Sequence, residues 1–273
     1  MGKKVDFISP EKIQECQQTI LQFYKENKRD LPWRQTKDPY HILLSEFMLQ
    51  QTQVSRVIDY YQTWIQTWPT IRSLSHASFQ DVLSKWIGLG YNRRAKYLHT
   101  TATIIVEEYD GDVLRAMQDY EKLPGIGRYT AQAVRIFAGN EDIATVDTNI
   151  RRILIHEFNL PEGISEKELF TIAHLCVPEG KSCIWHNALM DYGSLLLTSR
   201  KSGIKPKTRQ PKFKGSDRQI RGQILRLLVQ EPYQKESIYV SVNSDSRRVD
   251  KLLEKMEEEH IITKDGNVYS IHA

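Results

Sequence analysis

From about residue 10 to residue 200, apolar side chains recur every three or four positions, and strand-like alternation is nearly absent. Ile13, Cys16, Ile20, Leu21 and Tyr24 form one such set; Ile42, Leu43, Phe47, Leu49, Val54 and Val57 form another. A helix places such positions on one face, which must be buried. The pattern predicts an all-α domain over residues 1–198. With 40% hydrophobic and 10% aromatic residues in 273, the chain has enough apolar surface to close a core, which excludes disorder.

The composition changes at residues 199–215, SRKSGIKPKTRQPKFKG, which are basic, rich in Pro and Gly, and free of acidic side chains. A linker or exposed basic loop is expected there. Residues 216–273 form a smaller unit. Asp217 can cap a helix carrying Ile220, Ile224, Leu227 and Leu228, and Val249, Leu252, Leu253 and Met256 mark another. Two apolar strands around Asp265-Gly266 then predict a hairpin, and helices closed by one hairpin suggest a winged helix.

No run approaches the roughly 20 apolar residues of a membrane span, and the opening MGKKVDFISPEK has no apolar stretch suited to export. A cytoplasmic or nucleoid location is expected. Cys16, Cys176 and Cys183 are odd in number and lack metal-ligand spacing, so neither a disulfide framework nor a zinc site is expected. A net charge of +4 does not by itself establish nucleic-acid binding.

The most specific local signal is Leu123-Pro-Gly-Ile-Gly-Arg-Tyr-Thr. Gly125 and Gly127 permit a tight turn between helices, and their unobstructed N–H groups, with Arg128 and Thr130 following, open the next helix where an anion is favoured. Such a turn also joins helices for purely geometric reasons.

LPGIGRYTAQAV resembles the hairpin of the helix-hairpin-helix DNA glycosylase superfamily, with VDTNIRRIL following at that superfamily's spacing. LPWR (31–34), DPY (38–40), SEFMLQQTQV (45–54) and GLGY (88–91) narrow the resemblance to the adenine DNA glycosylases of MutY type, over roughly residues 30–200. The implied fold is all-α, the implied partner is double-stranded DNA with a mismatched or damaged base, and a monomer is expected.

Breaking a glycosidic bond through an oxocarbenium-like transition state calls for an acid on the leaving base and a negative charge beside the sugar. Glu46, set among Leu43, Leu44, Phe47, Met48 and Leu49, is the candidate acid, since an apolar pocket would hold it protonated. An isolated Glu would more often lie on a helix surface; the resemblance assigns this one the protonation of adenine N7. Asp147 reads locally as a helix N-cap, and the resemblance makes it the carboxylate that stabilises the sugar cation. At position 129 the endonuclease III branch carries a lysine nucleophile; here it is Tyr129, expected to hydrogen-bond to Asp147, which implies a monofunctional enzyme. Arg128 is always protonated and no substitute nucleophile.

Gln51 and Tyr91 match the positions that fill the stack when a base is extruded, although either could be a solvent-facing Gln or a core Tyr. Trp33, Arg34, Leu49 and Asp191 are expected to line the base pocket, with Asp191 accepting from the adenine amino group. The resemblance also allows a monovalent cation at the hairpin. Its usual iron–sulfur cysteines are missing after ALMDYGSLL, so no cluster is expected. Instead Arg200, Lys201, Lys205, Lys207, Arg209, Lys212 and Lys214 occupy that stretch, either as phosphate contacts or as a solvated linker.

Residues 216–273 are too short and too helical for the domain that reads 8-oxoguanine in this family, which leaves the opposing base open. The Arg247–Glu259 helix mixes both charges and makes a poor groove reader. Two rival readings stand beside adenine excision: a thymine or uracil glycosylase on T:G or U:G pairs, which also carries a Tyr at the hairpin, and a non-catalytic DNA-structure binder, which would have no need of Glu46, Tyr129 and Asp147 together.

Overall fold

The computed structural model describes residues 8–204, 212–242 and 244–272. They are predominantly helical, and the chain divides into two compact units: Met1–Leu43 with Ile126–Arg209, and Leu44–Gly125 with Gln210–Ala273.

In the first unit, the helix Pro10–Asn27 starts where Ser9 Oγ accepts from Lys12 N–H. Its Cys16 and Ile20 join Ile150, Ile153 and Leu154 of the Thr148–Glu157 helix, Leu169 and Ile172 of Glu166–Leu175, and Trp185, Ala188 and Leu189 of Ser182–Asp191. Each helix contributes the stripe its three-to-four spacing predicts. Ser165 and Glu168 close a reciprocal cap that starts the Glu166–Leu175 helix.

The second unit is centred on the fully buried indoles of Trp64 and Trp86, edge to face at 5.7 Å, with Leu98 and Ile105 of the Arg93–Tyr109 helix. The periodic set from Ile42 to Val57 is not one helix. It is split into Pro39–Leu49 and Val54–Thr67, with Gln51 between them at φ 57°.

The C-terminal residues run helix Asp217–Leu228, strand β1 (Tyr233–Gln234), helices Lys235–Val242 and Ser246–Glu258, then β2 (Ile262–Asp265) and β3 (Val268–Ile271). The three strands form an antiparallel sheet in the order β1-β3-β2, with Ile262 opposite Ile271 and Asp265 opposite Val268. Helices closed by this small sheet match the winged-helix arrangement, but the turn lies one residue later than expected, at Gly266-Asn267: Asp265 still pairs with Val268 at the end of β2, and Gly266 supplies the left-handed backbone. The cap lies one residue earlier than expected: Ser216 accepts from Gln219 N–H, while Asp217 is the first helical residue and pairs with Arg248. Gln80 donates to the Val229 carbonyl at 3.0 Å and Lys96 to that of His260 at 2.7 Å, which ties these residues to the rest of their unit.

Among the described residues, no helix is long and apolar enough to cross a membrane, and no group of His, Cys, Asp and Glu is gathered to hold a metal ion.

Candidate active site and nucleic-acid contacts

Asp147 caps the Thr148–Glu157 helix. Its Oδ1 accepts from Ile150 N–H at 2.7 Å and its Oδ2 from the Asn149 amide at 3.1 Å. Asn149 is held in turn by Arg152 at 2.7 Å, whose buried guanidinium also donates to the carbonyls of Leu197 and Gly193. The carboxylate is therefore fixed in direction. Desolvation raises its pKa above the usual 3.8 and outweighs the hydrogen bonds from Ile150 and Asn149 and the charge of Arg152, which act the other way. Asp147 lines a cavity of about 250 Å³ with Val146, Thr148, Arg151, Glu166 and Phe170.

The segment leading to Asp147 is tied down on two sides. Thr145 donates its N–H to Nε2 of the buried His186 and its hydroxyl to the Tyr129 carbonyl, at 3.3 and 3.5 Å. Tyr129 thus sits in the first turn of the Arg128–Gly139 helix, with its backbone linked to the approach to Asp147. Arg128 lies over the Phe170 ring at 3.9 Å, and Thr130 is buried.

At the hairpin, Gly125 has φ 77°, and a Cβ there would come within 2.7 Å of the Tyr97 ring, so glycine is required both by conformation and by space. Gly127 is different. A Cβ on it would meet nothing within 4 Å, so the protein's own packing does not demand this glycine, and its bare backbone opens the helix at an exposed position. The Pro124 carbonyl accepts from Thr101 Oγ1 at 3.0 Å through one of its lone pairs.

Glu46 is only 8% exposed, on a helix whose Leu44, Phe47 and Met48 are fully buried, and Leu49 is half-buried at the same helix's end. Just beyond, Gln51 and Tyr91 both adopt left-handed backbone, at φ 57° and 50°. That conformation costs a non-glycine residue about 1–3 kcal/mol and persists only where the surroundings impose it.

The residue that imposes it is Arg94, which the sequence reading did not single out. Its Nη1 donates to the carbonyls of Phe47, Met48 and Gln50, and its Nη2 to the Gly90 carbonyl and the Thr52 hydroxyl, at 2.6–3.1 Å. Desolvation lowers its pKa to about 10, so the guanidinium stays charged at neutral pH. Gln51 and Tyr91 line one groove of about 370 Å³, together with Arg93, Tyr97, Arg218 and Arg221.

The expected base-pocket group at Asp191 takes another form. Asp191 is fully buried, and its two oxygens accept from the Arg29 N–H, Arg29 Nε and both Arg34 Nη atoms at 2.6–2.9 Å. Burial raises its pKa, but the hydrogen bonds and charges of Arg34 and Arg29 more than offset this and leave it lowered. All four acceptor positions are filled, so Asp191 and Arg34 anchor the N-terminal segment, and no acceptor is left for an adenine amino group. Trp33 is buried beside Arg34 in the same short turn.

Of the basic stretch, Arg200 and Lys201 are exposed on the single turn Ser199–Ser202, and Lys212 and Lys214 are exposed further on. Lys205, Lys207 and Arg209 lie outside the described residues.

The model for HhH-GPD superfamily base excision DNA repair proteins matches residues 44–178. The adenine DNA glycosylase of Mycolicibacterium smegmatis is 36% identical over 260 residues, covering 87% of this chain and 89% of its own. That of Mycobacterium tuberculosis is 32% identical over 276 residues, covering 90% and 89%. Among solved structures, a thermostable thymine-DNA glycosylase is 30% identical, covers 72% of this chain and 91% of its own, and superposes with a TM-score of 0.64.

Proposed function

The chain belongs to the adenine DNA glycosylase family, within the HhH-GPD superfamily of base excision repair proteins, and we propose that it hydrolyses the bond between adenine and deoxyribose where adenine faces guanine or 8-oxoguanine. Glu46 gives its proton to adenine N7. The C1′–N9 bond then breaks with its electron pair going to the base. Asp147 stabilises the sugar cation, water bonds to C1′, and the water's proton returns to Glu46. The observation that carries this reading is the Asp147 carboxylate, aimed by Ile150 and Asn149 and facing a cavity. Replacing Glu46 by Gln keeps the side chain's shape and removes the acid. Single-turnover adenine release should fall about 10²–10⁴-fold while mismatch binding is retained; unchanged release would remove Glu46 from this role.

Tyr129 supports a monofunctional reaction, because a phenol cannot form the Schiff base on which strand cleavage depends. A Tyr129 hydroxyl that hydrogen-bonds to Asp147 would hold the carboxylate in place. Borohydride should trap no covalent complex with DNA, and trapping that survives in Tyr129→Phe would overturn this assignment.

The chain's three cysteines cannot furnish the usual thiolate set of an iron–sulfur cluster, and two of them, Cys16 and Cys176, are buried with raised pKa values, chiefly through desolvation. The proposed reaction uses no cluster. In place of a cluster loop, the basic stretch from Arg200 to Lys214 would meet the phosphate backbone. Neutralising it should then flatten the salt dependence of DNA binding. Damaged duplex DNA bound by one copy of the chain is the expected complex. The likeness to a thymine-DNA glycosylase favours a second reading, release of thymine or uracil opposite guanine.

A further inference from the structure

The C-terminal winged-helix residues reach the groove that holds Gln51 and Tyr91. Arg218, in the first turn of the Asp217–Leu228 helix, donates from Nη1 to the Tyr91 hydroxyl. Its guanidinium lies over the Tyr91 ring at 4.8 Å and over the Phe213 ring at 5.3 Å, and Phe213 is 53% exposed. Arg93 and Tyr97 form a second such pair along the same groove, at 5.0 Å. Arg221, by contrast, is engaged with Glu259.

Alternating aromatic rings and guanidinium planes make a surface on which a nucleobase stacks. The groove's volume of about 370 Å³ is in the range that encloses a small planar ligand. Among the described residues, Arg218 Nη2 makes no hydrogen bond, so this fork of donors still has one free edge.

We propose that Arg218 reads the base left unpaired when adenine leaves the stack, and that it selects a guanine-type base through the O6 acceptor. This rests on the adenine reading above and gives the C-terminal residues a part in the same site. Guanine and 8-oxoguanine both carry an acceptor at O6. Cytosine carries an amino donor at N4 and adenine one at N6, each of which would oppose an arginine N–H. Tyr91 and Phe213 hold the guanidinium in plane, and Arg94 fixes Tyr91 beneath it through the Gly90 carbonyl.

The test is single-turnover adenine release from duplexes that differ only in the opposing base, guanine, 8-oxoguanine or cytosine, with the full-length chain. The unaltered protein should favour guanine and 8-oxoguanine over cytosine. In both Arg218→Ala and Arg218→Lys that preference should shrink by about tenfold, because lysine keeps the charge but loses the planar fork. If Arg218→Ala does not fold, Arg218→Lys decides alone. A preference unchanged in the folded variants, or equal rates against guanine and cytosine in the unaltered protein, would overturn the role of Arg218. Absence of adenine release from every duplex would instead overturn the reading on which it rests.

Discussion

Arg94 Nη1 lies 2.6 Å from the carbonyl oxygen of Gln50, and its Nη2 lies 2.9 Å from that of Gly90. One buried guanidinium thus pins the residues immediately before Gln51 and Tyr91, the two side chains proposed to fill the gap left by an extruded base. Both are held in a backbone conformation they would not choose alone.

Removing that guanidinium leaves several buried carbonyls without a donor. Arg94→Met should lower the free energy of unfolding by about 3–5 kcal/mol, and Arg94→Lys should recover only part of it, because an ammonium cannot span both loops. Urea unfolding at neutral pH measures this. A loss under about 0.5 kcal/mol for Arg94→Met would show that the loops hold themselves.

Asp147 combines a cap and a charge, and the two can be separated. Asparagine caps a helix about as well as aspartate, so Asp147→Asn should fold with little loss of stability yet lose single-turnover base release by at least about 10²-fold. In the unaltered protein, the acid limb of the rate profile should lie above pH 3.8, because desolvation raises this carboxyl's pKa and only its ionised form steadies the sugar cation. Full activity in Asp147→Asn would reduce the residue to a cap.

For Asp191 the expected effect is on stability. Its carboxylate is shared between Arg29 and Arg34 with no exposure to solvent. Asp191→Asn should cost about 3–5 kcal/mol and leave the preference for adenine over other bases unchanged. An altered base preference with normal stability would restore the pocket role.

His186 makes stability depend on pH. Burial lowers its pKa to about 4 from 6.5, and it lies as a neutral ring between the Thr145 N–H and the Ser182 carbonyl. Above pH 6.5 neither folded nor unfolded chains protonate it, and its contribution is complete. Between pH 6.5 and 4 only the unfolded chain takes the proton, so stability falls as pH drops, by roughly 1.4 kcal/mol per unit. Urea unfolding across that window should be markedly flatter for His186→Gln, and parallel curves would contradict the assignment.

The helices, the terminal hairpin and the cap at Asp147 were legible because each depends on neighbours in sequence: a repeat of three to four, a turn dipeptide, a carboxylate before a helix. The break at Gln51 was not legible, because apolar spacing runs through it from Phe47 to Val57 and the cause, Arg94, lies more than forty residues on. Arg94 itself stands in the run Arg93-Arg94-Ala95-Lys96, which reads as a solvated surface. The partners of Asp191 were not legible for a related reason: a lone carboxylate in an apolar segment looks available until Arg29 and Arg34, over 150 residues away, are seen to hold it. Strand β1 has two residues and follows Pro232, too short for any alternation to register.

The most direct test of adenine excision is single-turnover base release from duplexes with one central A:8-oxoguanine, A:G, T:G or U:G pair, each analysed with and without alkali. The account predicts free adenine from the first two, with strand breaks only after alkali. Release of thymine or uracil alone, or breaks without alkali, would contradict it.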